Sequence, residues 1–153
     1  VDHVLRAIDL CVERVTRLEE GRDDAIAPGG GPGGVGRLVL LTRWIPRGRG
    51  RAPEIALPDP RPVRHRLREA LADAVRRISD LRDRGATLAG LAGTLPHPAL
   101  GPFAARHWVR FADVHTRHHL AIVADVDRRR AIGVRKASHR PADEASEVGV
   151  EAP

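Results

Sequence analysis

The sequence predicts an all-α, up-and-down helical bundle, and three observations lead there. Apolar residues recur in steps of three and four along three long segments. Stretches rich in glycine and proline separate those segments. Among 153 residues, 42% are hydrophobic, yet there are only two Trp, two Phe and no Tyr. Leu, Val, Ile and Ala must therefore fill the interior, whereas strand-rich folds draw more heavily on aromatic side chains. The length suits one domain with a substantial core. We assign the bundle to residues 1–130 and a polar, disordered tail to residues 131–153.

The first helix is predicted over Asp2 to Glu19, with Val4, Ile8, Cys11, Val15 and Leu18 on one face and Leu5 and Val12 beside them. It opens almost at the first residue, without a preceding cap. Gly21 and the glycine run from Pro28 to Gly34 end it, and that run reads as a flexible connection. It has no Gly-Lys-Ser/Thr ending and no strand before it, so a phosphate-binding loop is not indicated. Val35 to Trp44 forms a short helix. The loop that follows carries Arg47, Arg49 and Arg51 at alternate positions, either solvated or lining the mouth of a pocket.

Pro58, Pro60 and Pro62 delay the next helix to Val63–Arg84, whose apolar stripe is Leu67, Leu71, Ala74, Ile78 and Leu81 with Val75 adjacent. Gly85, Gly90 and Gly93 close it. Thr94 to Pro102 then reads as a constrained loop, with Pro102 suited to the first turn of a third long helix from Phe103 to Arg128. Beyond Arg130 the periodicity fades. Three long helices and one short one fall short of the four comparable partners a bundle needs, which implies that an N-terminal helix is absent.

The chain has 26 basic and 20 acidic residues, a net charge of +6, and its one lysine is Lys136. Charges of both signs are interleaved, so nucleic acid is not an expected partner. The lone cysteine, Cys11, excludes an intrachain disulfide and a multi-cysteine zinc site, and falls on the apolar stripe as a small buried residue. No apolar run approaches the length of a membrane span and no signal-peptide pattern is present. A cytoplasmic protein with no membrane partner is expected.

The chemistry concentrates in His115-Thr116-Arg117-His118-His119. His115 and His119 are one helical turn apart, about 6 Å along the axis, and Trp108, Phe111, Ala112, Ile122 and Val126 lie on or beside the same stripe. Two inward imidazoles at that spacing either hydrogen-bond or hold a metal. A first-row divalent ion bound by imidazoles usually takes three protein ligands and leaves a position open. The third must come from a facing helix, and His3, at the edge of the first apolar stripe, is the best placed. His118 lies about a hundred degrees round the helix from His119, with a packing role or proton transfer open to it. His97 can pin the proline-rich loop, His65 is a surface residue, and His107 and His139 carry no signal. There is no His-Glu-x-x-His helix, and Asp113 falls on a different face from His115, which disfavours zincin-type hydrolysis.

The motifs His97-Pro98-Ala99-Leu100-Gly101, then Trp108, then His115-Thr116-Arg117-His118-His119-Leu120 resemble, in order and spacing, those of the DinB/YfiT-like metalloenzyme superfamily, DUF1569-type branch. Gly36-Arg37-Leu38 and Arg47 to Pro53 are similar to that family's connection after its second helix, and the resemblance covers most of residues 1–128. It implies a four-helix bundle holding a divalent metal, nickel or zinc, on three histidines that match His3, His115 and His119. It also implies that the first helix here is the family's second. Where the branch often has a glutamine three residues past the last histidine, this chain has Ile122.

Some relatives are similar to S-transferases that use mycothiol or bacillithiol. The resemblance thus implies a thiol S-transferase acting on a small-molecule electrophile, with His118 or Arg47, Arg49 and Arg51 orienting an anionic group. A metal-dependent hydrolase using the same site, and a non-enzymatic helical binding or stress-related protein, are the alternatives. A bundle short of one helix exposes apolar surface, so a homodimer is a further expectation.

Overall fold

The computed structural model describes residues 1–21, 24–48 and 53–138. Five helices dominate: α1 (Asp2–Glu20), α2 (Gly34–Thr42), α3 (Arg64–Asp83), α4 (Gly85–Ala89) and α5 (Ala105–Ser138). A 3-10 turn at Glu54–Ala56 precedes α3, and a hairpin of β1 (Leu95–His97) and β2 (Gly101–Phe103) precedes α5. The architecture is all-α and mostly up-and-down. The chain divides into two compact units, Val1–His119 and Leu120–Pro153. In the second, α5 continues to Ser138, past the point where the apolar periodicity fades. Residues 139–153, and His139 with them, lie outside the described residues.

The first unit is built on α1. Ile8, Cys11, Val15 and Leu18 of the predicted stripe are buried, but in the first turns it is Leu5 and Ala7 that are buried while Val4 is only half-buried. Gly21 adopts φ 63° and returns its N–H to the Arg17 carbonyl at 3.1 Å, the left-handed stop for which glycine is suited. Two clusters follow from this stripe. Leu5, Ile8 and Ala74 join α1 to α3 near the start of α1. Cys11, Val15 and Leu18 join a larger core with Val39, Leu40, Leu81, Leu88, Leu95, Phe103, Trp108 and Val114.

The Thr94–Pro102 segment is an antiparallel hairpin rather than a loop, with Leu95 opposite Phe103 and His97 opposite Gly101. Leu95 and Phe103 are fully buried, so two inward side chains hold a strand pair that its prolines would not suggest. Pro102 sits within β2, and α5 begins at Ala105. There His107, silent in the sequence, accepts the Ala104 N–H on Nδ1 at 3.2 Å and caps the helix start.

The glycine run is not a free connection either. Ala27 bridges Thr94, the Thr94 hydroxyl donates to the Gly29 carbonyl at 2.9 Å, and the Gly33 N–H donates to the Leu100 carbonyl at 2.8 Å. Gly36 lies against the same carbonyl, where a Cβ would collide with backbone. Arg110 closes the far end of α2 by donating from Nε to the Leu40 carbonyl at 2.8 Å.

On α3 the predicted stripe is only half used. Ala74 and Leu81 are buried, whereas Leu71, Val75 and Ile78 are exposed. That part of the helix is only partly covered. The link to α1 is reinforced by Arg77 with Asp9 at 3.5 Å and by Arg84 with Glu19.

Candidate metal centre

His3 enters from the first turn of α1, and His115 and His119 from successive turns of α5. Their candidate ligand nitrogens all lie within 4.8 Å of one another, and all three side chains are half-buried. Ring centroids are 5.2 Å apart for His3 and His115, 4.8 Å for His3 and His119, and 4.5 Å for His115 and His119. All three residues belong to the first compact unit.

Each ring is set by a different device. His3 Nδ1 lies 2.6 Å from the carbonyl oxygen of Ala56. A carbonyl only accepts, so Nδ1 is the donor of this bond, which fixes the orientation of the ring. Histidines that hold metals are commonly oriented in this way through their second nitrogen. The donor of that carbonyl is the 3-10 turn, and Ala56 itself is buried. Sequence reasoning missed it because a backbone carbonyl on an alanine leaves no mark in a residue pattern.

His115 is held by stacking. Phe111 lies 5.5 Å from its ring, and His97 in turn lies 4.7 Å from Phe111, 5.5 Å from Trp108 and 5.1 Å from Phe103. His115 Nδ1 is buried with no hydrogen-bond partner among the described residues. His97 also pins the hairpin turn, accepting the Ala99 N–H on Nδ1 at 3.2 Å.

His115 Nε2 and His119 Nε2 face each other at 3.2 Å. Two tetrahedral zinc ligands at about 2.05 Å from the ion are separated by about 3.3 Å, so this pair already has the edge length a metal requires. Burial is the main cause that lowers the pKa of both His115 and His119 to about 4, and neighbouring imidazoles lower it further. Among the described residues no carboxylate figures among the charges acting on either ring. Near neutral pH the two are therefore uncharged and able to donate lone pairs. Asp113, the closest carboxylate in sequence, is engaged by Arg117 at 2.7 Å.

Comparison with protein-family models, with curated proteins and with solved structures finds no match. The functional reading therefore rests on the site itself.

His118 stands at the edge of the cluster, its ring edge-on to His119 at 5.1 Å. Burial and the positive charge of Arg47 both lower its pKa. Arg47 thus lies on the His118 side of the site. Arg49 and Arg51 lie outside the described residues. Cys11 takes no part: it is 2% exposed in the core, and burial pushes its thiol up to about 12.

Proposed function

We propose that this protein is a divalent-metal-dependent enzyme of the DinB type, with His3, His115 and His119 as ligands to nickel or zinc. The observation that carries the reading is the convergence of three half-buried imidazoles from two helices, with ligand nitrogens within 4.8 Å. The donor set suits the ion: imidazole nitrogens, one ring oriented by a backbone carbonyl, and fewer protein ligands than a closed structural site takes. The family part of this reading rests on the resemblance of the His97–Gly101, Trp108 and His115–Leu120 motifs to the DUF1569-type branch, on which α1 would correspond to that family's second helix.

Within this reading the activity is transfer of a low-molecular-weight thiol, such as mycothiol or bacillithiol, to an electrophilic small molecule. When bound, the metal would lower the pKa of the thiol. The chain's own contribution is to hold three nitrogens together, to keep those of His115 and His119 neutral by burial, and to offer His118 and Arg47 to an anionic part of the thiol or substrate. Hydrolysis is the weaker reading, because the sequence has no His-Glu-x-x-His helix and Asp113, the carboxylate nearest the pair in sequence, is engaged by Arg117.

The test is consumption of a bimane-type electrophile by nickel- or zinc-loaded protein with each thiol. Loss that requires both protein and thiol, and that disappears in His119→Ala, is the expected result. Loss that proceeds equally without thiol would replace transfer with hydrolysis.

A further inference from the structure

Helix α2 has an apolar side that nothing among the described residues covers. Val35, Leu38 and Leu41 are 63%, 57% and 77% exposed, and Trp44, just past the helix, is 61% exposed. The other side is fixed: Gly36, Val39 and Leu40 are buried against the body of the fold. A helix apolar all round normally lies inside a protein. Here it is anchored on one side and presents a rigid apolar stripe on the other, with exposed area on the order of several hundred Å².

Charge indicates what this stripe meets. From Ala25 to Pro53 the sequence has five arginines and not one Asp or Glu. Of these, Arg37, Arg43 and Arg47 are exposed on α2 or within five residues of its end. Pairing this face with its own copy would bring arginine toward arginine, which opposes self-association here. A surface that is anionic outside and apolar beneath satisfies both features at once.

We propose that α2 docks the protein on an anionic membrane surface, with Val35, Leu38, Leu41 and Trp44 entering the boundary between headgroups and acyl chains. Tryptophan is suited to that depth. Arginine stems can lie along the apolar layer while their guanidinium groups reach lipid phosphates. This is a helix lying on a bilayer, not crossing it. No described helix is long and apolar enough to cross, and the sequence expectation of no membrane partner was drawn from run length, which measures spanning alone.

The two tryptophans make the test specific, since Trp108 is 1% exposed and its emission should stay constant while that of Trp44 responds. The full chain is mixed with phosphatidylcholine vesicles, with or without about one-third phosphatidylglycerol. Co-sedimentation and tryptophan emission are then recorded. Binding to the anionic vesicles, with a blue shift that Trp44→Phe abolishes, is expected. The pair Leu38→Gln with Leu41→Gln should weaken binding at least about tenfold. Arg43→Gln with Arg47→Gln should weaken it and flatten its salt dependence. These side chains are exposed, and thermal melts verify that each variant folds. Failure of the wild-type chain to bind, equal binding to neutral vesicles, or binding without a Trp44 shift would each overturn the proposal, the first leaving an acidic protein surface as the partner to pursue. The outcomes for the wild-type chain, Trp44→Phe and the Leu38→Gln with Leu41→Gln pair do not depend on the histidine cluster.

Discussion

At His3 a single hydrogen bond decides what the ring can offer. His3 Nδ1 donates to the Ala56 carbonyl, which holds the ring beside those of His115 and His119. The other buried imidazoles are defined by what they cannot do. In the fold His97, His115 and His119 have pKa values of about 4, against an ordinary 6.5, with burial the first cause in each. An unfolded chain therefore binds protons that the folded chain refuses. The sign follows: the metal-free protein has its full stability above about pH 6.5 and loses it as pH falls toward about 4. Urea unfolding at several pH values should show that decline, and His97→Phe should make it shallower. A flat profile would mean that these rings are not buried as described. The i,i+4 pair was legible from spacing because helical periodicity alone brings residues 115 and 119 together. Its third partner needed a tertiary contact, and the spacing could only nominate His3.

Elements were less evenly legible than residues. The stripes of α1 and of the start of α5 follow the periodicity because each is covered by the rest of the unit. The stripe of α3 reads just as clearly, yet Leu71, Val75 and Ile78 remain exposed. Periodicity reports which side of a helix is apolar and not whether anything lies against it. Leu81→Ala should therefore cost about 2–5 kcal/mol in chemical denaturation, while Leu71→Ala should cost less than about 1 kcal/mol. Equal losses would contradict the described packing.

The hairpin escaped the sequence because Pro96, Pro98 and Pro102 signal interruption, whereas the buried Leu95 and Phe103 hold the pair together. Gly36 is where α2 meets it. A Cβ there would strike the Leu100 carbonyl oxygen and lie 3.2 Å from its carbon and 3.0 Å from the Pro32 side chain. Gly36→Ala should cost about 1–3 kcal/mol. Gly29→Ala, where an added Cβ meets nothing within 4 Å, serves as the control.

On the scale of the molecule, the whole candidate centre lies within the first compact unit, and so does the core that holds it. An ion held by these three rings would therefore be bound by the folded unit and would stabilise it. An ion that binds only the folded chain, present about 100-fold above its Kd, should raise stability by about 2.7 kcal/mol, and His119→Ala should remove that gain. The increment should fall at low pH, where protons compete for the same nitrogens.

The most direct measurement is the metal content of purified wild type and of His3→Ala, His115→Ala and His119→Ala after saturation with nickel or zinc and removal of free ion. About one ion per wild-type chain is expected, with little in each folded variant. A folded wild-type chain that retains none would contradict the account, and with it the enzymatic reading.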